Sequence, residues 1–267
     1  MIAVHPAQVA GTFYPAEAVE LRASVEEFLA QGRRDETLSG RPPKALIVPH
    51  AGYEYSGPVA GSGYAALVPG RDTVRRVVLF GTAHRLAFAG LATSSVECFR
   101  VPLGDVPIDG ASAEIAVELP EVRTLDAAFN NEHSLEVQLP FLQVVLKQFS
   151  VVPLLVGRDA GPVVATVMET LWDGPDTVFV ISSDLSHYLP YDEATARDRA
   201  TATAIERLEP DRIGRGDACG YEAIRGLLRV AAERRLKPRC LDLRNSGDTS
   251  GGRERVVGYG AFAFHVS

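Results

Sequence analysis

The stretch Thr177–His187 reads TVFVISSDLSH: a short β-branched and aromatic run that stops at two serines, an aspartate and a histidine. An apolar run without alternation is what a strand buried on both faces requires. Two other runs end in the same manner. KALIV (44–48) leads into Pro49-His50-Ala51-Gly52-Tyr53, and RVVLF (76–80) leads into Gly81-Thr82-Ala83-His84. VVPLLV (151–156) is a fourth such run. The last, RVVGYGAFAFHV (255–266), alternates more, as an antiparallel or edge strand does.

Helical periods separate these strands. Pro15 is suited to the first turn of a helix carrying Leu21, Val25, Phe28 and Leu29 on one face. Ser134–Phe149 reads as a second, with Pro140 bending it or marking its first turn. Further helices are expected near 161–173, 191–208 and 219–235. Strands alternating with helices predict an α/β fold, with a mostly parallel or mixed central sheet flanked by helices. No repeat or long linker divides the chain, so residues 1–267 are expected to form a single domain. Gln31–Pro43, rich in charge, glycine and proline, reads as a surface loop.

Composition narrows the function. Of 267 residues, 46% are hydrophobic and 23% charged, as in an ordinary globular protein. The formal net charge of −7 and the scattered basic residues argue against nucleic-acid and anionic-membrane partners. No signal-like N-terminus or membrane-length apolar run stands out. Three cysteines (98, 219 and 240) without CxxC spacing speak against a disulfide framework or zinc knot, and a cytoplasmic location is expected. Cys98 and Cys240 read as structural. Cys219 reads as a buried small residue or a soft ligand.

The chemistry lies at the strand ends, since ligands of open α/β sheets bind beyond the carboxyl ends of the strands. His50, His84, Asp184 and His187 all fall there. Two imidazoles and a carboxylate are the ligand set of non-haem Fe(II), with zinc or copper as alternatives, and a further histidine suits a general base. His133, in Asn130–Glu136, is a candidate to contact substrate or to support the metal ligands from behind, while Ser134 or Asn131 could cap the helix and Glu136 suits its first turn. The polar turn Asn245–Gly252 lacks the GK[ST] of a phosphate loop but could supply Asp248 or Thr249. No GxSxG elbow supports serine hydrolysis.

In order, AGTFYP (10–15), PHAGYEYSG (49–57), GTAH (81–84), NEHSLEVQLPFL (131–142), SSDLSHY (182–188), ACGYEAI (218–224) and NSGDTSG with RVVGYGAFAF (245–264) resemble the motifs of the MEMO family. The match spans nearly the whole chain. Prokaryotic members are often labelled the AmmeMemoRadiSam system protein B type. The resemblance implies a fold similar to that of class III extradiol dioxygenases. It implies His50 and His84 as metal histidines, and His187 as acid/base with Asp184 beside it. The third ligand, a glutamate in those dioxygenases and a cysteine in animal relatives, falls here near Thr249 and Asp248. Asp248, Asp184 or water is then the third ligand.

The reading that follows is a non-haem iron oxidoreductase, dioxygenase-like, with copper or zinc as alternatives to Fe(II). It would act on a small aromatic or enolic substrate, with His187 moving a proton and His133 orienting substrate. The alternative is a metal- or peptide-binding adaptor without turnover, and a third reading is zinc-assisted hydrolysis. Association of the family with radical-SAM and AMMECR1-type proteins suggests a shared pathway.

Overall fold

The computed structural model describes residues 2–32, 40–172 and 174–266. The chain begins with β1 (Val4–His5), α1 (Ala18–Gln31), β2 (Ala45–Val48), α2 (Tyr53–Ala65) and β3 (Arg76–Thr82). Next come β4 (Leu91–Thr93), β5 (Cys98–Val101), β6 (Gly104–Pro107), α3 (Gly110–Val117), β7 (Val122–Thr124) and α4 (Leu139–Val145). After β8 (Ser150–Val156) follow α5 (Gly161–Thr170), β9 (Thr177–Ser182), β10 (His187–Leu189) and α6 (Tyr191–Glu206). The last elements are α7 (Tyr221–Glu233), β11 (Lys237–Asn245) and β12 (Val256–His265).

The main sheet has nine strands in the order β10-β12-β2-β9-β3-β8-β4-β7, with β11 paired along β12. Its centre is parallel: β2 pairs with β9, β9 with β3, and β3 with β8. The flanks are mixed, because β12 runs antiparallel to β2, β10 and β11, and β4 antiparallel to β8. This is the expected mixed α/β architecture. β12 is antiparallel, as its alternation suggested, but lies inside the sheet.

Both faces of the central strands are covered, which is why their sequences lack alternation. Leu46, Val48, Val77, Leu79, Val178 and Val180 face one apolar core with Leu21 and Val25 of α1 and Tyr64 of α2. Ile47, Val78, Phe80, Phe179 and Ile181 face the other, with Val164 of α5 and Ile224 and Leu227 of α7. No helix among the described residues is long and apolar enough to cross a membrane.

Three sequence expectations are corrected. Helix α1 starts at Ala18, so Pro15 lies in the preceding turn. The stretch expected as one helix over Ser134–Phe149 is a 3-10 turn at Glu136–Gln138 followed by the short α4, with Pro140 in its first turn. It ends at Val145 because Leu146 is extended. Helix α2 was not expected, since its sequence, YEYSGPVAGSGYA, is poor in helix formers. Packing explains it: an added Cβ at Gly57 would meet the Phe28 ring at 2.5 Å, so glycine lets α2 lie close against α1. Most of the loop expected over Gln31–Pro43 lies outside the described residues.

Candidate metal centre

Parallel pairing brings the three strand ends together. Val48 of β2 and Gly81 of β3 are both in register with Ser182 of β9. The residues that follow, His50, His84 and Asp184, therefore leave the sheet at one rim. The turn before the 3-10 segment adds His133 to the same place. Candidate ligand nitrogens of His50, His84 and His133 all lie within 4.8 Å of one another. The rings of His84 and His133 stack at 4.7 Å, and His50 stands edge-on to both, at 5.1 and 5.3 Å.

The hydrogen bonds around this trio fix how the rings present their nitrogens. The Ser182 hydroxyl donates to the Ser134 carbonyl at 2.5 Å and accepts from Gln138 Nε2 at 2.8 Å. With its proton committed, Ser182 Oγ accepts from His50 Nδ1 at 2.9 Å, which leaves Nε2 unprotonated, with Cys219 Sγ 3.3 Å away. The Asp184 carboxylate accepts the His50 backbone N–H at 2.8 Å and so fixes where the residue leaves the strand. Gln138 is itself held by the Pro49 carbonyl and by Tyr64.

Glu132 holds the ring of His84 and the backbone of His133. One carboxylate oxygen accepts the His84 backbone N–H at 2.6 Å. The other accepts His84 Nδ1–H at 3.0 Å and the backbone N–H groups of His133 and Ser134 at 2.9 and 3.0 Å. His133 Nδ1 is 3.4 Å from that oxygen but makes no hydrogen bond. A carboxylate behind a histidine is a common arrangement at metal sites, fixing the tautomer and raising ligand basicity. Phe13 packs on the His133 ring at 4.5 Å. The segment carrying it is anchored by the Glu136 carboxylate, which accepts from Tyr14 Oη and the N–H groups of Gln8 and Val9.

The electrostatics follow from these contacts. Burial works to lower the His84 pKa, but hydrogen bonds to Cys219 and Glu132 overcome it and raise the value to about 9. Burial works to raise the Glu132 pKa, yet the hydrogen bond and charge of His84 hold it down to about 2. Burial, reinforced by the neighbouring His50 imidazole, lowers the His133 pKa to about 4. Three imidazoles crowded together, one with an orphaned buried nitrogen, fit a cation better than they fit each other. The group could hold a metal ion.

The other expected residues divide. Asp248, expected as a metal ligand, stands outside the histidine group. Its carboxylate closes a capping box with Asn245 N at 3.0 Å and accepts from Tyr191 Oη at 2.6 Å. Thr249 is likewise committed, its hydroxyl donating to the Ser246 carbonyl. His133, expected to contact substrate, sits among the three histidines that could hold a metal ion. Cys219 Sγ lies beside the group, 3.3 Å from His50 Nε2 and 3.3 Å from Asp184 N. His187 Nδ1 faces the Leu185 carbonyl at 2.8 Å, so it donates there and leaves Nε2 open. A cavity of about 760 Å³ is lined by His84, His187 and Cys219, within the range of small-molecule sites.

Sequence reasoning missed Glu132, Ser182 and Gln138. Glu132 adjoins His133 and Ser182 lies two residues before Asp184, so proximity to the motifs was the available signal. Nothing in the sequence connected Gln138 to His50.

Comparison with known proteins shows the family to which the chain belongs. Residues 5–263 match the family model described as Memo-like protein, and the chain belongs to that family. A MEMO1 family protein of Aeropyrum pernix is 37% identical over 94% of this chain and 96% of its own length. One from Aquifex aeolicus is 34% identical over 94% and 95%. Among solved structures, an uncharacterized protein from Escherichia coli K12 superposes with a TM-score of 0.49 at 16% identity, over 82% of this chain and 99% of that one.

Proposed function

We propose that this protein is a non-haem iron oxidoreductase, dioxygenase-like, whose metal is held by His50, His84 and His133 and whose substrate is a small aromatic or enolic compound. The observation that carries the reading is the convergence of three imidazoles, two with their far nitrogens tied to Ser182 and Glu132. A set of three neutral histidines also accepts copper or zinc. Bound Fe(II) would supply redox chemistry and a Lewis acid for an enolic or catecholic oxygen.

The chain's own residues supply the rest. His187 lines the cavity with its Nδ1 committed to the Leu185 carbonyl, and it takes the proton from a substrate hydroxyl, as an imidazole acting as general base does. Asp184 and Ser182 keep His50 in place, and Glu132 keeps His84 and His133 in place, so the ligand geometry does not depend on the substrate. Asp248 has no part in the centre and serves the turn between β11 and β12. The test is anaerobic Fe(II) loading followed by catechols and dioxygen. Ring-opened product from the wild type, lost in His187→Ala with iron retained, supports the reading. Iron bound without consumption of dioxygen by any catechol or enol would leave a metal-binding adaptor.

A further inference from the structure

The chain carries a formal charge of −7, yet the cavity beside the histidines is walled by arginines drawn from four places in the sequence. Arg85 follows His84, Arg158 follows β8, Arg197 lies in α6, and Arg215 lies in the loop before Cys219. Two of these cations have protein partners. Arg85 donates to the Asn131 carbonyl, and Arg197 donates to the Gly216 carbonyl and lies 3.8 Å from Glu193. Among the described residues, the guanidinium groups of Arg158 and Arg215 make no hydrogen bond or ion pair.

Two acids line the same cavity. Glu222 is occupied, its carboxylate accepting the Gly161 N–H at 2.8 Å. Asp159 is the second, so four arginines face two carboxylates, one of which is already engaged. A cavity wall with excess positive charge, on a chain that is acidic overall, focuses the field on an incoming anion. The planar fork of arginine matches a carboxylate or phosphate with two parallel hydrogen bonds.

We infer that the ligand of this cavity carries an oxyanion group, a carboxylate or a phosphate, which docks on Arg158 and Arg215 while its other end faces His84 and His187. This rests on the cavity being the substrate site proposed above, and it narrows the substrate from any catechol or enol to an acidic one. The arginines orient the molecule, and neither has a role in proton transfer.

Calorimetric titration of metal-free and Fe(II)-loaded protein with 3,4-dihydroxybenzoate, catechol and inorganic phosphate tests it. The metal-free protein should bind dihydroxybenzoate or phosphate, and catechol at least tenfold more weakly. An Arg158→Gln/Arg215→Gln variant should weaken the anion at least tenfold while leaving catechol unchanged. A control variant, Arg22→Gln/Lys147→Gln, removes the same charge from elsewhere on the surface and should change neither. Dihydroxybenzoate binding ahead of phosphate points to an aromatic acid, and the reverse order to a phosphate ester. Anion affinity equal to that of catechol, or unaltered in the double variant, overturns the inference. If iron fails to load while arginine-dependent anion binding persists, the metal reading falls and this one stands. Because both side chains are exposed and without partners, thermal unfolding of the double variant should match the wild type.

Discussion

Glu132 grips His84 at both ends: one carboxylate oxygen accepts the backbone N–H at 2.6 Å, and the other faces Nδ1 at 3.0 Å. The first contact sets where the residue leaves β3, and the second sets the ring and its tautomer. The same carboxylate accepts the backbone N–H groups of His133 and Ser134. One buried acid thus connects two of the three candidate ligands.

Replacing Glu132 with glutamine keeps the shape but removes the charge. Loss of such a partner behind a metal histidine typically lowers metal affinity by about 10–100-fold. Competition with a chelator should show a fall of that size in Glu132→Gln. Unchanged affinity would mean that the carboxylate serves the fold alone.

Metal binding should release a proton. With its pKa raised to about 9, His84 is protonated in the metal-free protein at neutral pH, whereas His133, lowered to about 4, is already neutral. A cation must displace the His84 proton. Affinity is therefore expected to rise about tenfold per pH unit up to about pH 9 and then level off. Without metal, the sign for stability is the opposite. The raised His84 pKa stabilises the fold fully below its unfolded value of about 6.5, and that contribution disappears as pH rises through about 9. Metal titrations across this range check the first trend, and a pH-independent affinity contradicts it.

Ser182 controls His50. In Ser182→Ala, His50 Nδ1 and Gln138 Nε2 both lose an acceptor in a buried setting. Such losses cost about 1–3 kcal/mol each when nothing replaces them. Metal affinity is expected to drop about tenfold or more, on the scale of other partner losses behind metal histidines. Ser182→Thr, which keeps the hydroxyl, should fall between this variant and the wild type. Equal affinities in all three proteins would refute the role given to this hydroxyl.

The α1–α2 contact can be tested separately from the site. A Cβ at Gly61 would run into the Phe28 carbonyl, which is backbone and cannot move aside cheaply, whereas one at Gly110 meets nothing within 4 Å. Overpacking of this kind costs about 1–3 kcal/mol. Denaturant unfolding should show a loss of that order for Gly61→Ala and little change for Gly110→Ala.

Strand identity and the position of the rim were legible because period and burial are local properties. Runs such as TVFVI carry no polar alternation when both faces are covered, and parallel pairing then brings their ends together. Helix α2 was not legible because its stability comes from contact with Phe28 and not from propensity. The candidate ligand set was half legible. His50 and His84 follow strands directly, but His133 follows an irregular turn, and only the tertiary structure brings it against them. Asp248 looked available in sequence because nothing there reveals that Tyr191 and Asn245 N occupy its oxygens. The arginine wall was invisible for the same reason: its four members are scattered from 85 to 215.

The central claim is that the metal centre is a trio of histidines without Asp248. Metal content by mass spectrometry, on protein purified without chelators and loaded anaerobically with Fe(II), tests it directly in four proteins. The account predicts near-stoichiometric metal in the wild type and in Asp248→Asn, and loss of metal in His133→Ala and in His50→Ala/His84→Ala. Full metal in His133→Ala together with loss in Asp248→Asn would contradict it and restore the two-histidine, one-carboxylate site.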